Sequence, residues 1–211
     1  MTRPLYLVGY RGTGKSTVGR LVAAALGQPF IDLDERIEAE AGRSIAAIFA
    51  DEGEAGFRDR ESAALADASC GDKFPTLPSN TVSDTPNIGS GSATIVRRVG
   101  KLAATAEGFI IATGGGIILR EENRRILKAS GIVVWLQAPA ETIWARIQAD
   151  RLTAARRPNL AGGGLAEIVE LLAVRERFYR EIADAVVDAG GASPEAVADA
   201  ILTAVRLLPS D

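Results

Sequence analysis

Nine consecutive residues near the start of the chain, Gly9-Tyr10-Arg11-Gly12-Thr13-Gly14-Lys15-Ser16-Thr17, restrict the fold more than anything else in the sequence. They satisfy the pattern G-x-x-x-x-G-K-[ST], in which glycines let backbone N–H groups turn inward around phosphate oxygens without side-chain clashes. The flanks fit. Leu5-Tyr6-Leu7-Val8 reads as a short buried strand ending at Gly9, and Ser16 to Leu26 places Val18, Leu21, Val22 and Ala25 at helical spacing. In a strand–loop–helix context, Gly12, Thr13, Gly14, Lys15, Ser16 and Thr17 wrap a nucleotide triphosphate. The Lys15 ammonium reaches the β- and γ-phosphates, the Ser16 hydroxyl can ligate magnesium, and the helix start adds its positive dipole end.

The remaining segments alternate in type. Phe30 to Asp32, Phe109 to Ala112, Ile132 to Leu136 and Ala185 to Val187 read as further strands. Between them come helical stretches over Asp34 to Ala41, Ser44 to Ala50, from about Glu54 through Leu65, Thr142 to Arg151, and Leu165 to Ala183. Pro194 opens a terminal helix, with Ser193 as its N-cap. Strands that alternate with helices predict an α/β fold: a parallel sheet covered on both faces, with the ligand at the carboxyl ends of the strands. Ser69 to Ser92 breaks the pattern. Rich in Ser, Thr, Asn, Pro and Gly, it reads as a flexible insertion into a single domain spanning the 211 residues.

Composition closes off several classes of chemistry. No histidine is present, which excludes Ser-His-Asp hydrolysis and histidine metal centres. The one cysteine, Cys70, cannot form an internal disulfide or a cysteine zinc site. A net charge of −3 gives no electrostatic reason to expect a nucleic-acid or membrane partner. The leading apolar run of four residues is too short for a signal peptide or a spanning helix, so a cytoplasmic protein is the expectation. No long apolar stripe demands a partner, and a monomer is expected.

Other residues are ambiguous one at a time. Asp32 and Asp34 follow the second strand, where a spacing of two puts both carboxylates on one face. One could hold a magnesium water and the other accept a hydrogen bond from an attacking hydroxyl, or Asp34 could be a plain helix N-cap. Arg58 reads equally as a solvated charge, Gly114-Gly115-Gly116 as a tight turn, and Arg175 as one half of a surface ion pair. Arg156-Arg157-Pro158 sits in a segment with little periodicity, Leu152 to Gly164, which is either a lid bringing an arginine to the phosphates or a solvated loop.

Taken in order, these residues resemble the shikimate kinase family. The phosphate loop is followed by Asp32-x-Asp34, Gly42-Arg43-Ser44-Ile45, Ile48-Phe49, Glu52-Gly53-Glu54 and Phe57-Arg58. Ala112-Thr113-Gly114-Gly115-Gly116, Arg157-Pro158 and Arg175 four residues before Tyr179 complete the series. The resemblance implies a three-layer α/β/α fold of the nucleoside monophosphate kinase type with a five-stranded parallel sheet. It implies transfer of the γ-phosphate of ATP, with one magnesium ion per subunit, to the 3-hydroxyl of shikimate in aromatic amino acid biosynthesis. By the same resemblance Asp34 orients or deprotonates the acceptor, and Arg58 and Arg175 grip its carboxylate. Gly115 offers it a backbone N–H, Asp32 stands near the magnesium waters, Arg157 reaches the phosphates, and Arg146 and Pro194 flank the adenine. The sequence departs from the family pattern where Arg177 replaces a proline after Arg175, which makes Arg177 a second candidate for the carboxylate. Kinases of the same fold acting on another polyol acid such as gluconate, and a nucleotide-binding switch without turnover, are the rival readings.

Overall fold

The computed structural model describes residues 3–69, 108–149 and 164–209. Its centre is β1 (Leu5–Val8), all four residues of which are buried. β2 (Phe30–Asp32), β3 (Ile110–Ala112), β4 (Ile132–Gln137) and β5 (Ala185–Asp188) join it in the order β2-β3-β1-β4-β5, every pairing parallel. The expected five-stranded parallel sheet is therefore present.

Strand alternation divides the core in two. Leu5, Leu7, Ile110, Val134, Leu136 and Val187 face α1 (Lys15–Leu26) and the terminal helix, forming one apolar cluster with Val18, Val22, Val197 and Ile201. Tyr6, Val8, Ile31, Ile111, Val133 and Trp135 face the other way. They pack against Ile37 of α2 (Leu33–Ala41), Ile48, Phe57 and Leu65 of α3 (Ile45–Ser69), Leu127 of α4 (Glu121–Ser130) and Tyr179 of α6 (Leu165–Ile182). A third cluster, of Tyr10, Ala138, Ile143, Ile147 and Ile168, lies beneath the phosphate loop where α5 (Ala140–Ala149) begins. α7 (Pro194–Leu207) starts as expected: Pro194 occupies its first turn and Ser193 accepts from the Ala196 N–H.

Two local expectations need correction. Asp34 is not the cap of α2. Asp32 is, with its side chain accepting from the backbone of Asp34 and Glu35, and Asp34 lies in the first helical turn. The strand-spacing argument for the two aspartates fails for the same reason, because the helix starts at Leu33. In addition, α4 has no counterpart in the sequence reading. Its sequence is dominated by charge, and only Asn123 and Leu127 are buried, so its apolar stripe is too narrow to stand out. The two helical stretches over Ser44 to Ala50 and from Glu54 are real, joined across Gly53, whose backbone is non-helical (φ 70°, ψ −175°). The Ser69–Ser92 insertion beyond Ser69, Cys70, and the Leu152 to Gly164 segment up to residue 163 lie outside the described residues.

Candidate nucleotide and acceptor site

The phosphate loop follows β1 at the middle of the sheet, between the carboxyl ends of β3 and β4, where chain connections leave in opposite directions. Its shape depends on positive φ at Gly9 (145°), Gly12 (79°) and Gly14 (90°), which side-chain-bearing residues rarely adopt. Gly14 caps α1 without any side-chain hydrogen bond, and no acidic residue occupies the first turn, so the helix start keeps its N–H groups and its positive potential for an anion. Lys15 is buried and donates to the carbonyls of Gly9 (2.9 Å) and Tyr10 (2.8 Å), which lays its ammonium across the loop. The Thr13 hydroxyl donates to the same Tyr10 carbonyl at 2.8 Å.

The Ser16 hydroxyl donates to Asp32 Oδ2 at 2.5 Å, while Oδ1 of that carboxylate is engaged in capping α2. Asp32 thus serves as the structural cap, the role the sequence had offered for Asp34, and also faces the phosphate loop. An adjacent hydroxyl and carboxylate are hard oxygen donors suited to magnesium, which takes few protein ligands and keeps several waters.

On the adenine side, a cavity of about 280 Å³ is lined by Thr13, Gly14, Thr17, Arg146, Pro194 and Val197, among others. The two positions assigned to the adenine, Arg146 and Pro194, therefore share one cavity with the phosphate loop. Arg146 is anchored by donating to the Ala189 carbonyl at 2.8 Å.

On the acceptor side, α3 carries Arg58, which is 9 % exposed and not a solvated charge. Its Nη1 donates to Glu61 at 2.7 Å and its Nη2 to Glu54 at 3.1 Å. Spacings of three and four residues stack these groups on one face of the helix. Burial works against the charge of Arg58. The Glu61 and Glu54 carboxylates more than offset it and hold the guanidinium above its ordinary range. Gly116 allows this placement, since a Cβ there would fall 2.2 Å from Arg58 Nη1.

The preceding glycine meets the phosphate loop: a Cβ on Gly115 would lie 3.1 Å from the Arg11 backbone nitrogen. The Gly115 carbonyl accepts from the fully buried Tyr179 hydroxyl at 2.8 Å and, at 3.5 Å, from Arg175 Nη1. Burial, the largest influence, pushes the Tyr179 phenol well above its usual range, and nearby Arg175 only partly counters it, so the hydroxyl stays a donor. Arg175 lies over the Tyr10 ring at 5.3 Å, whereas Arg177 lies over Phe178 at 4.5 Å. Two residues apart on a helix point to different sides, and only Arg175 turns toward Gly115. From the sequence Glu61 has no role, and Glu54, Tyr10 and Tyr179 enter only as members of motifs. Helical spacing from Arg58 would have exposed the two glutamates, but nothing local marks what the tyrosines touch. Asp34 is half-buried at the carboxyl end of β2, beside the β3 loop. Arg157 lies outside the described residues.

A family model described as shikimate kinase matches residues 11–73 and 96–206. The chain belongs to the shikimate kinase family. It is 39% identical over 201 residues to a shikimate kinase of Rhodopirellula baltica, covering 95% of this chain and 89% of that one. It is 39% identical over 208 residues to a shikimate kinase of Pseudomonas syringae pv. syringae, covering 98% of both. Among solved structures, shikimate kinase from Acinetobacter baumannii in complex with shikimate superposes with a TM-score of 0.75 at 30% identity, covering 98% of this chain and 94% of that one. The Aquifex aeolicus shikimate kinase gives 0.68 at 30% identity, covering 96% of each. The stretch that the family model passes over, 74–95, overlaps the segment read as an insertion. Membership carries with it the P-loop kinase fold found in the sheet order.

Proposed function

We propose that this chain transfers the γ-phosphate of ATP to the 3-hydroxyl of shikimate, giving shikimate 3-phosphate and ADP, in aromatic amino acid biosynthesis. One juxtaposition carries the reading. The two glycines after β3 touch the phosphate-loop backbone at Arg11, the guanidinium of Arg58 and, through a carbonyl, Arg175. Two arginines thus flank a glycine loop next to a phosphate cradle, which suits an acceptor with a planar carboxylate and a hydroxyl near the γ-phosphate.

In this reading the adenine enters the cavity between Arg146 and Pro194, and the loop from Gly12 to Thr17 wraps the phosphates. Ser16 and Asp32 hold magnesium, which when bound neutralises phosphate charge and orients the oxygens. Lys15 shifts from the loop carbonyls to the transferring phosphate. Arg58 and Arg175 hold the shikimate carboxylate, the Gly115 N–H meets the substrate, and Arg157 supplies a further cation to the phosphates. Asp34 orients the attacking hydroxyl and accepts its proton as the oxygen–phosphorus bond forms in line with the departing ADP. Positioning and charge supply most of the acceleration. The protein acts as a cytoplasmic monomer with no nucleic-acid or membrane partner. Among the described residues no helix is long and apolar enough to cross a membrane.

The test is ADP release with magnesium and ATP, using shikimate, quinate and gluconate as parallel acceptors and a blank without acceptor. Turnover on shikimate alone is expected, and turnover no greater than the blank would remove the proposal. Asp34→Asn is expected to lower kcat by about 10²-fold or more with shikimate KM little changed. Near-native turnover of that variant would take Asp34 out of the mechanism.

A further inference from the structure

The two arginines assigned to the acceptor carboxylate are held in opposite ways. Arg58 has Nη2 engaged by Glu54 and Nη1 by Glu61. Among the described residues Arg175 pairs with no carboxylate. Its neighbours include the Tyr10 ring, 5.3 Å from its central carbon, the Gly115 carbonyl at 3.5 Å and the Tyr179 hydroxyl. A ring face attracts a guanidinium through the quadrupole of its π system without cancelling its charge as a carboxylate would. A guanidinium carries five N–H donors, so with Nη1 directed at the Gly115 carbonyl others remain for a ligand, together with the full positive charge.

Tyr10 is well placed to do this reliably. It is 2% exposed, held in the apolar cluster with Ile143, Ile147 and Ile168. Its carbonyl receives hydrogen bonds from Lys15 and Thr13, so the residue is fixed at both ends. The backbone of Tyr10 belongs to the phosphate cradle, while its side chain faces α6.

We infer that Tyr10 is a positioning residue for the acceptor, its ring presenting Arg175 to the substrate carboxylate with the charge unneutralised. The inference rests on the proposed shikimate kinase activity and adds a specificity element to it. The phosphate loop then does two jobs, with its backbone binding one substrate and one of its side chains aligning the anchor for the other.

The experiment compares wild type, Tyr10→Leu and Tyr10→Phe with two acceptors, shikimate and its uncharged methyl ester, measuring kcat and both Michaelis constants. Tyr10→Leu fills similar space without a π face and is expected to raise KM for shikimate by roughly five- to thirty-fold, the range of a partly desolvated cation–π contact. KM for ATP should move by less than about twofold, and the methyl ester should show no added penalty, since the contact acts through a carboxylate that the ester lacks. Tyr10→Phe keeps the face and should restore KM for shikimate. Should Tyr10→Leu not yield folded protein, Tyr10→Met replaces it, with the same pattern expected. Equal rises in both Michaelis constants, an equal penalty on the ester, or a Tyr10→Phe variant as impaired as Tyr10→Leu would each overturn the inference, since each points to a loop disturbance or a role for the hydroxyl. If wild type does not phosphorylate shikimate, the activity and this inference fall together. If wild type is active and Tyr10→Leu matches it, only the inference falls.

Discussion

The phosphate side and the acceptor side of this site are built on different physical principles. The phosphate cradle is one unbroken run of nine residues whose ligand-binding groups are mostly backbone N–H, shaped by three glycines at positive φ and placed at an uncapped helix start. The side proposed for the acceptor draws on α2, α3, the loop after β3 and α6, and relies on side-chain charges: Arg58 is balanced by Glu54 and Glu61, and Arg175 rests against a carbonyl and a ring. A backbone cradle needs only local conformation, so it survives changes in the surrounding sequence. A charge-based site assembled from several elements needs each of them in place, and each is a separate point of failure. The two sides touch where Gly115 packs on Arg11 and where Arg175 lies over Tyr10.

Substitutions can sharpen or break this contrast. Removing the ammonium buried in the phosphate loop should have the largest effect: Lys15→Met should lower kcat by at least about 10³-fold with an unchanged circular dichroism spectrum, because the ammonium stabilises charge on the transferring phosphate. On the acceptor side, Glu61→Ala should cost about 3–5 kcal/mol in chemical denaturation, the usual cost of leaving a buried charge without its main partner. Glu61 is 0% exposed, and the remaining partner, Glu54, lies at the surface. A loss below about 1 kcal/mol would mean the pair is solvated and would weaken the contrast between the two sides.

Gly116→Ala is the third case. Its new methyl would collide with the Arg58 guanidinium, so KM for shikimate should rise by roughly ten- to a hundredfold, the worth of a charged hydrogen-bonded pair, while KM for ATP changes little. Parallel rises in both constants would show that the two sides are less separable than their construction suggests. The smallest effect belongs to Glu52, which pairs with Arg43 and Arg60 at the kink of α3. Its hydrogen bond to Arg60 is the main reason that its pKa lies below the ordinary 4.5. A depressed carboxyl pKa stabilises the fold above that ordinary value, and the benefit is lost as pH falls below 4.5 and the group protonates. Glu52→Gln should therefore lower Tm slightly at neutral pH, and the gap from wild type should close in thermal melts at progressively lower pH.

How much could be read in advance follows the same division. The strand, loop and helix around Gly9 to Thr17 were legible because glycine conformations and apolar periodicity act over a few residues. The sheet was legible from the alternation of short apolar runs with helical stretches. α4 escaped because its buried stripe amounts to Asn123 and Leu127. The cap was legible only as an alternative role for Asp34, because either aspartate satisfies the preference and only the backbone shows that the chain turns helical at Leu33.

By itself, the sequence determined that this protein binds a nucleotide triphosphate on a parallel α/β sheet, since those features follow from local conformation and hydrophobic period. The tertiary structure decided that Arg175, and not Arg177, turns toward Gly115. It also decided that Arg58 and Glu61 are buried and not solvated, and that an aromatic ring supports Arg175. These outcomes depend on burial and on which faces of distant helices meet, and both arise only when the chain has packed.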